Sequence, residues 1–288
     1  MGDKSRNLIV RTLSGIVLLA VVLAAAYGGP YAYGGFLLLI LVVGMWEFYK
    51  LAHATKSSPQ AGVGIAAGIV LFLSGFSLFV GDEGGFMLGN EHFIGSILYF
   101  MLLVPLTFVI ELFRKGETPL RNVAVTLAGI WYVALPMTLM LFIPLMLNGG
   151  VWRAEAFLFY LFIVWANDVC AYLVGMTIGR HRLCERISPK KSWEGFFGGV
   201  LGALGMGALG AYILDGNLFV WLGLAAVVSI ASVLGDLVES MFKREAGVKD
   251  SGRIMPGHGG MLDRFDAVFI ATPFAFVYLS VIEIFGII

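Results

Sequence analysis

Residues 218–238 read LFVWLGLAAVVSIASVLGDLV, an apolar run with one charged side chain, Asp236. A run of about twenty apolar residues is long enough to cross the ~30 Å hydrocarbon core of a bilayer as a helix. The helix is required because lipid offers no partner to unpaired backbone groups. Asp236, Glu239 and Ser240 are spaced i, i+3 and i+4, so they share one face at the end of this helix. The stretch therefore predicts a transmembrane helix that ends in polar side chains.

Apolar runs of similar length recur along the whole chain, which has 288 residues, 59% hydrophobic and 13% charged. Soluble domains carry about a quarter charged residues, so lipid must cover much of this surface. We predict an all-α, polytopic bundle of about nine transmembrane helices, with the boundaries Leu8–Gly28, Ala32–Leu51, Ala61–Gly81, Phe93–Leu112, Val123–Leu147, Glu155–Gly179, Gly195–Leu214, Leu218–Val238 and Ala267–Ile288. The seventh span is rich in glycine, which indicates close packing against a neighbouring helix.

The basic residues decide the predicted orientation. With a cytoplasmic N-terminus, every Lys and Arg except Arg153 falls on the cytoplasmic side, as the positive-inside rule requires. The first five spans hold few charges, so we divide the single membrane domain into scaffold helices, residues 1–154, and a catalytic half, residues 155–288. The compact chain and its short N-terminal tail favour a bacterial plasma (inner) membrane, with the site facing the cytoplasm.

Two polar segments lie at or near this face. Asn167-Asp168 falls inside the sixth span, where a carboxylate is costly and indicates a function; the alternative is a structural pair with an Arg on a neighbouring helix. The second segment, Ser188-Pro189-Lys190-Lys191-Ser192-Trp193-Glu194-Gly195, leads into the seventh span. Its two lysines beside a helix N-terminus favour phosphate binding, although they would also serve as a topology signal with Trp193 as an interfacial anchor.

The longest polar segment, residues 235–266, reads GDLVESMFKREAGVKDSGRIMPGHGGMLDRFD. Its carboxylates stand at the ends of two spans, and carboxylates from two helices can hold a hard divalent cation. We predict four metal ligands: Asp236 and Asp263 as the principal ones, with Glu239 and Asp266 in support. Nearby Lys and Arg side chains can hold phosphate oxygens. A solvated loop would not explain carboxylates at the ends of two spans.

In this segment the chain resembles the phosphatidate cytidylyltransferase family, also called CDP-diacylglycerol synthases. The family signature is matched by Ser240, Phe242, Lys243-Arg244, Lys249-Asp250, His258-Gly259-Gly260, Met261, Asp263-Arg264, Phe265 and Asp266. The segment from Ser188 to Gly195 is similar to the family's second block, with Ser192 where Thr is frequent. The resemblance implies a Mg²⁺-dependent enzyme that couples CTP with phosphatidic acid to give CDP-diacylglycerol and diphosphate. It also implies a homodimer.

The motifs and the resemblance together define the predicted site. We expect catalytic roles for Asp236, Asp263, Lys243, Arg244 and His258, where His258 fits a base, a phosphate donor or a turn residue. Substrate binding is expected of Asn167, Asp168, Ser188, Lys190, Lys191, Ser240, Lys249, Asp250 and Arg264. The basic side chains are expected around one polar cavity that CTP enters from the cytoplasm. Phosphatidic acid would enter from the inner leaflet.

Two alternatives remain beside this interpretation. One is a related CTP-dependent membrane lipid kinase or cytidylyltransferase that acts on another lipid. The other is a cation-coupled transporter, which would need polar groups that reach both membrane faces. The lipid bilayer is a further expected partner, and no nucleic-acid partner is expected.

Overall fold

Helices make up most of the described chain. The computed structural model describes residues 3–81, 91–252, 254 and 259–287. Its helices are α1 (Asp3–Tyr27), α2 (Gly29–His53), α3 (Ala61–Phe79), α4 (Glu91–Phe113), α5 (Pro119–Gly129), α6 (Leu135–Met140), α7 (Ile143–Met146), α8 (Ala154–Ile178), α9 (Trp193–Ile213), α10 (Leu218–Glu245) and α11 (Leu262–Ile284). An antiparallel hairpin of β1 (Arg182–Cys184) and β2 (Ser188–Ser192) lies between α8 and α9 in the chain. The predicted all-α class is confirmed.

Seven helical stretches of the described chain are long and apolar enough to cross a membrane. They are Gly29–His53, Ala61–Phe79, Pro119–Met140, Ala154–Ile178, Trp193–Ile213, Leu218–Glu245 and Leu262–Ile284. Helices α1 and α4 add the shorter apolar stretches Thr12–Tyr27 and Leu98–Phe113. Each predicted span overlaps a helix of the described chain, and the polytopic membrane bundle is confirmed. The total of nine crossings and the cytoplasmic N-terminus stay predictions.

Several helix ends differ from the predicted spans. Helix α10 continues to Glu245 rather than ending at Val238, and α11 begins at Leu262 rather than Ala267. The fifth predicted span ends earlier, at Met140, and α7 is a separate short helix. The predicted boundaries follow hydropathy, which marks only the part of a helix that lies in lipid. The helical hydrogen bonds of α10 and α11 continue beyond that part through polar turns. As a result, Asp263 lies on a helix rather than before one.

Contacts divide the chain into two compact units. The first comprises Met1–Leu141 with Phe242–Phe265, and the second comprises Phe142–Met241 with Asp266–Ile288. By its contacts, segment 242–265 groups with the N-terminal helices, whereas the sequence division assigned it to the C-terminal half. The functional division into scaffold and catalytic halves stays a prediction.

In the first unit, α5 and α6 are joined by a π-helical segment, Ile130–Ala134. At its start the Ile130 N–H donates to Leu127 O, although an α-helix would direct it to Thr126 O. The buried Tyr49 hydroxyl of α2 donates to Thr126 O at 2.7 Å. An unsatisfied carbonyl is costly in lipid, so this hydroxyl stabilises the change of helix geometry.

A buried carboxylate, Glu111, joins three other parts of the first unit. It accepts hydrogen bonds from Gln60 Nε2 at 2.8 Å and from Asn122 Nδ2 at 2.7 Å. The Arg114 guanidinium donates to it at 2.9 Å. These donors come from the residue after α4, from α5 and from the residue before α3, so Glu111 ties the ends of three helices together.

In the second unit, α8 and α9 pack closely along their length. A Cβ at Gly199 would lie 2.6 Å from Asn167 Oδ1 and 2.8 Å from the Asn167 carbonyl oxygen. A Cβ at Gly202 would overlap the Cys170 side chain. No side chain larger than hydrogen fits at these two positions without a shift of the helices. These two glycines of α9 therefore serve its packing against α8.

Candidate active site

Three carboxylates of the second unit form a group that we call the carboxylate cluster. Ligand oxygen atoms of Asp236, Glu239 and Asp266 all lie within 4.8 Å of one another. Asp236 and Glu239 lie on one face of α10, and Asp266 lies in the second turn of α11. Gly235 permits the two helices to approach, because a Cβ there would lie 2.6 Å from Asp266 O. Glu239 is fully buried, whereas the two aspartates are half-buried.

The β-hairpin brings one cation to the carboxylate cluster. Lys191 Nζ lies 2.6 Å from Asp236 Oδ2 and donates to Val233 O at 3.4 Å. Ser240 Oγ donates to the other Asp236 oxygen at 3.3 Å. Side chains alternate between the two faces of a strand, so Lys190 projects from the opposite face of β2, where it is exposed. Of the two predicted lysines, Lys191 is therefore the one that pairs with the cluster.

The hairpin itself was not predicted from the sequence, which indicated only a basic segment leading into the seventh span. Glu194, in the first turn of α9, accepts from the Arg180 N–H at 3.1 Å and lies 2.6 Å from His181 Nδ1. Ser192 caps α9, because its Oγ accepts from the Gly195 N–H at 3.1 Å. These contacts fix both ends of the hairpin on the start of α9 and so position Lys191. Strands this short show no alternation of apolar residues that would have revealed them.

Three other predicted residues lie in the second unit. Asn167 is fully buried against Gly199. Asp168 is exposed and lies within electrostatic range of both Asp236 and Lys191. Ser188, half-buried, opens β2 opposite Cys184. Asp168 therefore adds a fourth carboxylate to the electrostatic surroundings of the carboxylate cluster.

In the first unit, Asp263 organises the segment that precedes α11. Its Oδ1 lies 2.8 Å from Lys243 Nζ, in an ion pair whose side chains are 14% (Lys243) and 5% (Asp263) exposed. Its Oδ2 accepts from the Ser251 N–H and hydroxyl at 2.9 Å each, and from the Gly260 N–H at 2.8 Å. Asp263 thus joins the end of α10 to both ends of segment 251–260. Its role as a principal metal ligand stays a prediction.

Glu47 of α2 contacts the same segment, although it is not among the site residues predicted from the sequence. Its Oε2 accepts from the Leu262 N–H at 2.8 Å, and its side chain is fully buried. A Cβ added at Gly252 or Gly260 would overlap the Glu47 carboxylate. The signal was present, because an ionisable residue inside an apolar span indicates a function by default. Glu47 lies inside the second predicted span.

The remaining predicted residues of the first unit are at its surface. They are Arg244, Lys249, Asp250 and Arg264, all with exposed side chains. His258 lies outside the described residues. The predicted roles of these five residues in catalysis and substrate binding stay predictions.

Known proteins with similar sequences belong to the family that the sequence motifs resemble. The Cytidylyltransferase family matches residues 9–282 of the chain. A phosphatidate cytidylyltransferase of Staphylococcus aureus is 32% identical over 269 residues, which cover 92% of this chain and 96% of the relative. Those of Haemophilus influenzae and Synechocystis sp. are 31% and 30% identical, over 92% and 93% of this chain and 96% and 95% of the relatives. The match includes the carboxylate cluster, the hairpin and the segment around Asp263, and the chain belongs to the cytidylyltransferase family.

Proposed function

We propose that this protein is a phosphatidate cytidylyltransferase, a nucleotidyltransferase of phospholipid biosynthesis. It would convert CTP and phosphatidic acid into CDP-diacylglycerol and diphosphate. The observation that carries the proposal is the carboxylate cluster with its paired Lys191, in a membrane protein whose relatives bear that enzyme name. Such a cluster at the ends of two apolar helices suits a reaction between a charged nucleotide and a lipid headgroup.

The reaction needs little help from a base. An oxygen of the phosphatidate phosphate, already anionic at neutral pH, attacks the α-phosphorus of CTP. The bond between the α-phosphorus and the bridging oxygen breaks, and diphosphate leaves with the electron pair. The main barrier is the approach of two anions, which positioning and cationic side chains lower. Lys191 supplies one such cation, and its contacts with Asp236 and Val233 hold it in place before substrate binds.

The donor set of the carboxylate cluster fits Mg²⁺, because hard divalent cations take oxygen ligands. Three carboxylates against one lysine leave an excess of negative charge, which favours a cation. We propose Asp236, Glu239 and Asp266 as ligands, with Asp263 as a fourth. Bound Mg²⁺ would supply charge neutralisation at the transferred and departing phosphates. The residues of the chain hold the ligands in place: Ser240 and Lys191 orient Asp236, and Gly235 sets the approach of α11.

The other predicted residues keep their proposed roles. We assign catalysis to Lys243, Arg244 and His258, and the binding of CTP and the lipid headgroup to Asn167, Asp168, Ser188, Lys190, Lys191, Ser240, Lys249, Asp250 and Arg264. We also propose a homodimer in a bacterial plasma membrane with the site on the cytoplasmic side. The bias of basic residues supports this orientation, and the bacterial origin of the relatives supports this membrane.

The test is synthesis by the purified protein in mixed micelles with α-labelled CTP, phosphatidic acid and Mg²⁺. Labelled CDP-diacylglycerol and equimolar diphosphate are expected, and omission of either substrate or of Mg²⁺ should abolish both. Asp236→Asn should lower kcat by at least about a hundredfold. The matched control is Asp215→Asn, in the connection between α9 and α10, which should retain activity. CDP and a phosphorylated lipid as products would instead identify a lipid kinase, and undiminished turnover in Asp236→Asn would refute the assigned site.

A further inference from the structure

We propose that Glu47 is a positioning residue for cytidylyl transfer, acting from α2 on the segment that leads into α11. The inference rests on the proposed function of Lys243 and Asp263, which lie on either side of that segment. Glu47 lies outside the signature from Ser240 to Asp266. It is joined to that signature by a hydrogen bond between residues 215 positions apart in the chain.

The first contact is a helix cap. The N–H groups in the first turn of a helix have no acceptor within the helix, and Leu262 is the first residue of α11. Glu47 Oε2 accepts from the Leu262 N–H at 2.8 Å. A carboxyl group at a helix N-terminus is also favoured by the helix dipole. A side chain of α2 therefore does for α11 what a local capping residue does for most helices.

The second contact is between the Glu47 carboxylate and the backbone of two glycines. Gly252 and Gly260 both lie against the Glu47 carboxylate with no room for a Cβ. A buried carboxyl group is costly unless polar groups surround it, so the backbone at Gly252 and Gly260 has to stay close to Glu47. Gly260 also donates its N–H to Asp263 Oδ2. The same short piece of backbone is thus held by Glu47 on one side and by Asp263 on the other.

These contacts form a continuous series from Glu47 to the ion pair of Asp263 and Lys243. Glu47 fixes Leu262 and Gly260, Gly260 and Ser251 fix Asp263, and Asp263 holds Lys243 at 2.8 Å. Glu47 is fully buried, so it acts through Asp263 and Lys243 rather than by touching substrate. Loss of its acceptor oxygen should release the start of α11 and displace both groups. A displacement of about 1 Å is enough to lower turnover by up to a hundredfold.

The experiment compares Glu47→Ala with Glu47→Gln in reconstituted full-length protein. Glu47→Ala should lower kcat by roughly ten- to a hundredfold with a smaller change in the KM for CTP. Amide hydrogen exchange in peptides covering residues 251–262 should become faster. Glu47→Gln retains an oxygen that accepts from the Leu262 N–H, so it should restore most of the turnover and the protection. A simple loss of core packing would not be rescued in this way.

Glu111 provides the matched control, because it is a buried glutamate of the same unit that bonds to Gln60, Asn122 and Arg114. Glu111→Ala should reduce thermal stability without a selective increase of exchange at 251–262. Normal kcat and normal exchange in Glu47→Ala would overturn the inference, and so would a Gln variant as impaired as the Ala variant. Should the wild-type protein make no CDP-diacylglycerol, hydrogen exchange still tests the link between Glu47 and this segment, because it needs no turnover.

Discussion

Lys191 of strand β2 and Asp236 of helix α10 form an ion pair, with Nζ 2.6 Å from Oδ2. Both side chains are partly exposed, at 24% for Lys191 and 39% for Asp236, so a ligand from solvent can reach the pair. A cation that binds the carboxylate cluster has to share Asp236 with the lysine. A phosphate that binds Lys191 would relieve that competition. If Mg²⁺ and CTP bind as proposed, the pair would couple the binding of the metal to the binding of the nucleotide.

Neutralising Lys191 should separate its contribution to turnover from its competition with Mg²⁺ for Asp236. Lys191→Gln should lower kcat about ten- to a hundredfold, yet it should also lower the Mg²⁺ concentration for half-maximal activity, because Asp236 loses its competing cation. Lys190→Gln, on the opposite face of the strand, should raise the KM for CTP and leave the Mg²⁺ dependence unchanged. Steady-state kinetics over a Mg²⁺ series measure both. Identical Mg²⁺ curves for the two variants would contradict the pairing.

Asp263→Asn should affect both activity and local structure. An amide has a single acceptor oxygen, and its NH₂ group would face the donors that now point at the carboxylate. We expect loss of turnover together with faster hydrogen exchange in residues 251–260. Asp236→Asn should abolish turnover without that change in exchange. If Asp263→Asn were inactive but fully protected, its proposed role as a metal ligand, rather than its structural role, would account for the lost turnover.

Gly199→Ala should destabilise the second unit. Its Cβ would lie 2.6 Å from Asn167 Oδ1 and 3.0 Å from the Ala171 Cβ, so α8 and α9 would have to separate. The control is Gly205→Ala on the same helix, where a Cβ meets no atom within 4 Å. Thermal unfolding in detergent should show a lower midpoint for Gly199→Ala and an unchanged or higher one for Gly205→Ala, since Ala favours helix. Equal midpoints would show that the helices tolerate the extra carbon.

Tyr49→Phe should destabilise the first unit by about 0.6–2 kcal/mol, the range for hydrogen bonds between membrane helices. The variant removes the donor to Thr126 O and keeps the ring that packs against Gly129. Tyr212→Phe, at a position 82% exposed, is the control and should be neutral. Equilibrium unfolding in mixed micelles gives both values. A neutral Tyr49→Phe would mean that another donor satisfies the Thr126 carbonyl.

The orientation has a direct test in sealed, uniformly oriented vesicles. CTP supplied at the face that bears residues 180–194 and 239–266 should support synthesis, because a charged nucleotide does not cross lipid. CTP supplied only at the opposite face should not. Protease access to the hairpin identifies the face independently. Equal activity from both sides would contradict the predicted topology.

The sequence predicted the helices better than it predicted the site geometry. Twenty-residue apolar runs locate membrane helices because lipid demands them, so α8, α9 and α10 begin within two residues of the predicted positions. The i, i+3 spacing placed Asp236 and Glu239 together, and the structure gathers them with Asp266. The residues that pair with the charged side chains of the site could not be predicted from the sequence. Lys191 reaches Asp236 through a hairpin that has no apolar pattern, and Glu47 meets Leu262 across most of the chain.

The π-helical segment Ile130–Ala134 has a consequence for how this chain compares with its relatives. A π turn contains one residue more than the α turn it replaces. Deletion of one residue there would restore α geometry while the flanking helices keep the same faces toward their neighbours. The same deletion inside α9 would rotate every following residue by about 100° and turn its glycines away from α8. Length variation in homologous chains should therefore be tolerated at residues 130–134 and be excluded from the glycine-bearing part of α9.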